Sequence, residues 1–455
     1  MSLNATLSRA VFYLLSVNGI GYLFLLLISI IIFRSVDKTH YGLYVILLSL
    51  FAVIELLMAG LNDTIVRFLK DKIPLNDKQN IVLFVLVYKY LLILLFLLFL
   101  YIAKHFGFFE FLIGNFDEIS IILNSYLLVV ILNGVLSTFI GVNNCILNSQ
   151  KKYKLTANLN LLRHGLYLII VIALSFYTKN YLHYLHASIA LSIAMLFYLI
   201  VIISKDFKDF SILQIIRTDL KIDTVRKYIL PYAAPLTASS LLTYIKNYLP
   251  VIILGKEFSL ENVAIFSVIK TFFKALHTLT SSFIDPMMSK FLELKEQTKI
   301  FKQNISAIFW SMLFFRLIIF SILVLLLRYI FMIYNLDNTK VNQFIFYTLG
   351  IEFIIAGMIL IYGIILRLEK ATYKVFQVSI VRFCVELSLI YLILFDFGVM
   401  AAALILLVSR YIETLTTYFF VRGQEIFKFS STLLFFFLVV VIYCFMQFLA
   451  IFSGF

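Results

Sequence analysis

The chain has 455 residues, of which 63% are hydrophobic and 14% are charged, and its mean hydropathy is +1.03. Soluble domains contain about 45 to 50% apolar and about 25% charged residues, so this composition excludes an ordinary soluble protein. The net charge of +14 would suit nucleic acid only if the basic residues formed a water-facing patch, which their placement below excludes. The cysteines Cys145, Cys384 and Cys444 are far apart, so we predict no disulfide framework, metal site or cofactor.

Apolar runs of about 20 residues, the length that crosses a bilayer, recur along the whole chain. The first continues from Arg9 to Phe33, which is too long for the core of a secretory signal, so we expect it to remain as a span. A count of twelve to fourteen spans fits, because 430–451 also suits an interfacial helix. The thirteen predicted spans lie near 11–33, 42–61, 80–103, 120–143, 157–177, 182–203, 229–254, 262–285, 304–330, 343–366, 375–395, 398–420 and 430–451.

Lysine and arginine concentrate in every second loop. The loops at 62–79, 144–156, 204–228 and 286–303 hold three to six each, whereas the alternate loops hold two or fewer. The positive-inside rule therefore predicts that these basic loops and the N-terminus are cytoplasmic. Most of the positive charge is explained by topology.

The loops are short, the longest being 104–119 outside and 204–228 inside. No soluble catalytic domain fits in them, so we predict that the protein is not an enzyme. The inner loop 204–228 lies near the middle of the chain and is charged and amphipathic, as expected of a connector between two halves.

The two halves resemble each other weakly. A shift of 222 positions lays 41–69 over 263–292 and Asp63 over Asp285, and both segments are the second span of their half. Six spans per half keep the same orientation in both copies, which indicates a parallel repeat. We predict an all-α polytopic membrane fold in which two six-helix lobes, 1–203 and 229–420, are joined by 204–228, with one extra helix in 421–455.

Nine basic residues fall inside the predicted spans, where charges are costly and are usually paired or functional. The acids available there are Glu55, Glu352, Glu386 and Glu413. The spacings of Arg382 to Glu386 and of Arg410 to Glu413 predict structural pairs within one helix. The remaining basic residues are Lys89, Arg163, Lys246, Lys270, Lys274, Arg316 and Arg328.

Lys270, Lys274 and His277 are spaced i, i+4 and i+7, so they share one face of a helix. One hypothesis is a structural ion-pair network with Glu55 and Glu352. The other, which we favour, is a hydrated cationic cavity between the lobes that receives concentrated negative charge such as pyrophosphate, because lysine contacts phosphate as a point charge. His277 would add charge near neutral pH or simply form a hydrogen bond.

Arg328 lies near an outer end and can reach the headgroups. Lys89 and Arg163 lie in the inner third of their spans, where contact with inner headgroups and a cavity-lining role fit equally well. Arg316 lies deeper, and Lys246 lies in the span before Lys270. The candidate substrate-binding residues are Lys270, Lys274, His277, Arg316, Lys246, Arg163 and Lys89.

Three segments carry a family resemblance: "YGLY" at 41–44, "LPYAAPLTASSLLTYIKNYLPVIILG" at 230–255 and "LENVAIFSVIKTFFKALHTLTSSFIDPMMSKF" at 260–291. The chain resembles the polysaccharide-transporter family, the Wzx-type O-antigen flippases. That family belongs to the superfamily that also holds multidrug-and-toxin extruders and the lipid II flippase. Length, span order and the two-lobe repeat agree over nearly the whole chain, which implies the exporter-superfamily fold.

The resemblance implies a flippase in the bacterial cytoplasmic (inner) membrane. Its partner would be an undecaprenyl-pyrophosphate-linked oligosaccharide, moved from the inner to the outer leaflet by alternating access, with membrane lipids and polysaccharide assembly proteins as further partners. Helices one, two, seven and eight line the cavity in such proteins, which fits Lys246, Lys270 and Lys274. Span one departs from the lipid II flippase pattern, since it has Asn18 and no basic residue near its middle.

Glu55, Glu352 and Asp63 are the candidates for coupling to protons or sodium. A cation-coupled multidrug exporter of the same fold is the alternative function, although such a protein would favour acidic over basic cavity residues. A membrane polymerase or ligase acting on the same lipid would need a larger outer loop. A scaffold protein would have no use for unpaired charges in the bilayer.

Overall fold

All regular structure in the described part of the computed structural model is helical, as the sequence predicts. Lipid offers no partner for backbone N–H and C=O groups, and a helix satisfies them within its own segment. The structure describes residues 5–70, 73–106, 117–150, 152–210, 214–215, 221–281, 298–368 and 371–422. The predicted span 430–451 lies outside them.

Twelve predicted spans coincide with long helices. The helices are α1 (Ala5–Ser35), α2 (Lys38–Lys70), α3 (Leu75–His105), α4 (Asp117–Ser149), α5 (Tyr153–Tyr177), α6 (Tyr181–Asp206), α7 (Leu230–Glu257), α8 (Leu260–Ser281), α9 (Thr298–Leu325), α10 (Leu327–Tyr334), α11 (Lys340–Leu368), α12 (Thr372–Leu389) and α13 (Phe395–Val421).

Among the described residues, eight helical segments are long and apolar enough to cross a membrane. One of them, Tyr373–Val421, contains both α12 and α13. Gly398 interrupts it with φ 53° and ψ −125°, a conformation that residues with a Cβ rarely adopt. The break falls where the sequence predicts one span to end and the next to begin. The protein is a multi-pass membrane protein.

Polar side chains begin several helices by accepting hydrogen bonds from first-turn backbone N–H groups, which have no partner within the helix. Asp37 Oδ2 accepts from the N–H of Thr39 at 2.9 Å, and Asn180 Oδ1 accepts from the N–H of Leu182 at 2.9 Å. Similar contacts begin α8 and α11, from Ser259 and Thr339. These residues stand in the short loops that the hydropathy pattern predicts.

The described chain forms two compact units, one of residues 35–256 and one of 1–34 together with 257–455. In the unit 35–256, α4 packs against α2 and α6 around a core that includes Ile65, Val85 and Leu199. The predicted lobe boundaries were drawn on a sequence repeat rather than on contacts, and they stay a prediction.

The connector 204–228 is docked on the start of α3. Gln79 Nε2 donates to the carbonyl oxygen of Asp209 at 2.8 Å, and Asn80 Oδ1 accepts from the N–H of Lys221 at 2.8 Å. Phe210 and Val225 lie in the hydrophobic core of the unit 35–256, which agrees with the amphipathic pattern of this loop. A π-helical turn, Val225–Ile229, leads into α7.

In the other unit, α11 is the central helix and packs against α8, α9 and α13. It is 78% buried along its apolar segment, compared with 50% or less for the other candidate spans. A helix that is apolar on every side is expected to be buried in this way. The predicted span 304–330 differs from the structure, because α9 ends at Leu325 and a separate short helix, α10, follows it.

Candidate functional site

The predicted cationic face lies on α8. Lys274 is exposed, whereas Lys270 and His277 are half-buried. The Lys270 Nζ lies 5.7 Å from the centroid of the Phe266 ring, one turn earlier on the same helix. Phe273, by contrast, is buried and packs on α11, with its ring centroid 4.9 Å from that of Phe346. The side of α8 that carries Phe273 therefore fixes the helix, and Lys274 remains accessible.

Arg316 of α9 is completely buried, with 0% exposure. Its Nη1 donates to the carbonyl oxygen of Phe353 at 2.5 Å and to Nδ1 of His277 at 3.2 Å. The guanidinium carbon lies 4.7 Å from the centroid of the Phe353 ring, within the range of a cation–π contact. Gly357, one turn further along α11, leaves room for the side chain, since a Cβ there would lie 3.0 Å from Arg316 Cδ.

Arg316 is thus held in place by α11 and reaches His277 of α8. It is one of the predicted substrate-binding residues, and that role stays a prediction. Arginine keeps its charge when buried and is weakly hydrated, which makes it better suited than lysine to such a position.

A network of five ionic side chains joins α11, α12 and α13. Arg410 contacts Glu352 at 2.5 Å and Glu413 at 2.9 Å, between guanidinium nitrogen and carboxylate oxygen in each case. Arg382 contacts the same Glu413 oxygen and lies 3.9 Å from Glu386. Both predicted pairs within one helix are therefore confirmed. The contacts between helices, from Glu352 to Arg410 and from Glu413 to Arg382, were not predicted.

This network changes the balance of charge near the cationic face. Glu352 was one of the two acids predicted as possible partners of the lysines, and it contacts Arg410. Away from their ends, the described parts of α8, α9, α11, α12 and α13 carry five cations and three acids. The cations are Lys270, Lys274, Arg316, Arg382 and Arg410, and the acids are Glu352, Glu386 and Glu413.

The other candidate residues lie in the unit 35–256. Lys89 of α3 is buried, with 2% exposure, and its Nζ donates to Asn62 Oδ1 of α2 at 2.7 Å. Arg163 of α5 donates from Nη2 to Ser192 Oγ of α6 at 2.9 Å. Both contacts hold neighbouring helices together. Lys246, Glu55 and Asp63 belong to α7 and α2, but their side chains lie outside the described residues.

Sequence reasoning did not identify Asn62 or Gly357 as supports of buried cations. Neither has a spacing signal, because each partner lies on a different helix. A buried cation does predict that some polar partner exists, but hydropathy and periodicity do not indicate which residue supplies it.

Comparison with solved structures shows which fold the chain has. An inward-facing multidrug resistance MATE family transporter of the MOP superfamily has a TM-score of 0.68 and 11% identity, over 91% of this chain and 99% of that chain. The lipid II flippase MurJ, in an inward closed conformation, has a TM-score of 0.67 and 15% identity, over 98% and 97%. A MOP superfamily transporter from Pyrococcus furiosus has a TM-score of 0.66 and 13% identity, over 92% and 96%. The protein therefore has the fold of the MOP superfamily of transporters.

The sequence identifies the family within that class. The family model described as "Polysaccharide biosynthesis protein" matches residues 7–292, and the chain belongs to this family. A comparison with curated proteins gives no match. The predicted superfamily fold and the resemblance to polysaccharide transporters are confirmed.

Proposed function

We propose that the protein is a flippase that moves an undecaprenyl-pyrophosphate-linked oligosaccharide, an O-antigen or similar surface-polysaccharide unit, from the inner to the outer leaflet. It acts by alternating access in the bacterial cytoplasmic membrane, with its N-terminus in the cytoplasm. The family supports a role in polysaccharide biosynthesis, and the fold of the lipid II flippase supports a lipid-linked substrate.

The observation that carries the proposal is the surplus of positive charge around α8. Two lysines share one face, the more exposed being Lys274, and Glu352 contacts Arg410. A cation at the bilayer centre costs roughly 3 kcal/mol on insertion scales, so a surplus at this depth needs a compensating ligand. The pyrophosphate group of a lipid carrier supplies concentrated negative charge of the kind that ammonium groups bind.

The membrane potential favours this direction of transport. An anion moves outward down an inside-negative potential with a gain of about 2.3 kcal/mol per charge per 100 mV. A pyrophosphate diester carries two charges and gains about 5 kcal/mol per 100 mV on the same basis. Any additional ion coupling would involve the predicted candidates Glu55, Asp63 or Glu352, of which Glu352 would have to exchange its contact with Arg410.

A cation-coupled multidrug exporter is the second candidate function, and the similar TM-score of the MATE family transporter favours it as far as fold goes. Charge argues against it. Cationic drugs need accessible acids, whereas Glu352 and Glu413 both contact arginine. The lysines of α8 would repel such substrates.

The test measures transport in proteoliposomes, with a polyprenyl pyrophosphate that carries a fluorescent disaccharide as the probe. The double variant Lys270→Ala with Lys274→Ala should lower the rate at least tenfold, since each charge-assisted hydrogen bond contributes about 1.5 to 3 kcal/mol. The double arginine variant should keep most of the rate because it preserves the charge. Arg328→Ala, which removes an exposed cation on α10, is the control.

The same variants should behave in parallel in a strain that lacks its own oligosaccharide flippase, at equal protein levels in the membrane. Wild-type transport by the double alanine variant would reject the role of the cationic face. Efflux of ethidium without transport of the lipid-linked probe would instead favour the drug exporter.

A further inference from the structure

The contact between Arg316 and His277 fixes where the imidazole carries its proton. The guanidinium Nη1 lies 3.2 Å from Nδ1 of His277. A guanidinium group donates through all of its N–H groups and has no acceptor. Nδ1 must therefore present its lone pair, which places the proton on Nε2 and leaves the ring neutral.

Charged groups from four helices surround His277. Lys274 lies on its own helix, Arg316 on α9, Arg410 on α13 and Glu352 on α11. The Glu352 carboxylate already contacts Arg410.

His277 lies on the same face of α8 as the lysines. It lies three positions after Lys274, which is a rise of about 4.5 Å along the helix. The imidazole is half-buried, and the described residues give Nε2 no hydrogen-bond partner. A single uncharged N–H donor thus stands about one turn beyond the charged pair.

We infer that His277 is a neutral hydrogen-bond donor for an oxygen of the lipid-linked head group, and that Arg316 is the positioning residue that fixes its tautomer. This inference rests on the proposed function. The acceptor is an oxygen either of the pyrophosphate or of the first sugar. A neutral donor selects for such an oxygen at a defined position, whereas the lysines attract negative charge with little directional demand.

The protonation state is tested without transport. Nitrogen NMR of the full-length protein labelled with 15N-histidine, assigned by the signal that disappears in His277→Gln, should show Nδ1 unprotonated and Nε2 protonated from pH 8 to pH 5.5. Arg316→Lys should preserve this pattern, because an ammonium group also only donates. Arg316→Met should abolish the pattern, because Nδ1 then has no donor that keeps it unprotonated. A doubly protonated ring at pH 7 in the wild type would overturn the inference.

The role in recognition is tested with two isosteres. A glutamine side chain can place its N–H near the position of Nε2, whereas asparagine reaches only the position of Nδ1. We expect His277→Gln to transport the fluorescent disaccharide probe at a rate close to that of the wild type, and His277→Asn to be about tenfold slower, the loss expected for one hydrogen bond to a charged or strongly polar acceptor. His186→Gln, an exposed histidine of α6, is the control.

The pH profile separates positioning from a purely structural role. The ratio of the wild-type rate to the His277→Gln rate should be constant between pH 5.5 and 8. Taking this ratio cancels any pH dependence that both proteins share, such as one due to ion coupling elsewhere. The same ratio should vary with pH in an Arg316→Met background. A ratio that varies with pH when Arg316 is present, or that stays constant in the Arg316→Met background, would contradict the role given to Arg316.

A second probe, polyprenyl pyrophosphate without sugar, identifies the acceptor. A loss in His277→Asn with both probes assigns the hydrogen bond to pyrophosphate, and a loss only with the sugar-bearing probe assigns it to the sugar. Equal rates of asparagine and glutamine variants with both probes would refute the inference. Failure of the proposed function is distinguishable, because the wild-type protein would then transport neither probe.

Discussion

Glu413 binds two arginines at once, and its removal should destabilise the protein mainly through one of them. Arg410 keeps Glu352 at 2.5 Å and is 21% exposed, so water and a second carboxylate compensate for much of its loss. Arg382 is 1% exposed and would keep only Glu386, at 3.9 Å. Breaking a buried pair by removing one partner costs about 3 to 5 kcal/mol. We expect Glu413→Ala to cost about 3 kcal/mol.

This loss should appear as a fall of about 3 °C in the unfolding midpoint, measured by scanning fluorimetry in detergent at a fixed heating rate. Asp396→Ala, which removes an exposed acid from the same helix, should leave the midpoint within about 1 °C. Arg382→Met combined with Glu386→Gln and Glu413→Gln should recover most of the stability, because it removes the buried arginine together with both of its carboxylate partners. The reasoning fails if Glu413→Ala matches the Asp396→Ala control.

Two further predictions concern the supports of buried cations. Gly357→Ala should lower the free energy of unfolding by about 1 to 3 kcal/mol, because its Cβ would lie 3.0 Å from Arg316 Cδ. The control is Gly363→Ala, where a Cβ meets nothing within 4 Å, and it should be neutral or stabilising. Equal stability of the two variants would contradict this account. Asn62→Ala should lower the free energy of unfolding by about 1 to 3 kcal/mol, because Lys89 would stay buried without its acceptor. Scanning fluorimetry should show that adding Lys89→Met restores the stability. If it does not, the loss has another cause than the buried lysine.

The positions of the helices were predictable because a membrane allows few alternatives. Apolar runs of sufficient length must form helices, and the break between 395 and 398 was visible as a short interruption that the structure places at Gly398. The end of α9 at Leu325 was not predictable in this way. The apolar run continues through it without a glycine or proline, and the nearest polar residue, Arg328, lies inside α10 rather than at the boundary.

The charged residues show where sequence reasoning ends. Pairs within one helix follow from spacing, as Arg382 with Glu386 and Arg410 with Glu413 show. Contacts between helices depend on how the helices are rotated against each other, which one sequence does not specify. The contact of buried Arg316 with the Phe353 carbonyl of α11 is such a contact, and no spacing in the sequence indicates it.

The interruption at Gly398 has a mechanical consequence for transport. The Phe258 ring packs directly against this glycine, within 2.9 Å of where a Cβ would lie, just before α8 begins. Phe273 fixes the same helix further along, against Phe346 of α11. Because α8 contacts different neighbours at these two levels, it cannot move by itself without breaking one of the contacts. If the protein works by the proposed alternating access, a movement of α8 that preserves both contacts must carry α11 and the start of α13 with it.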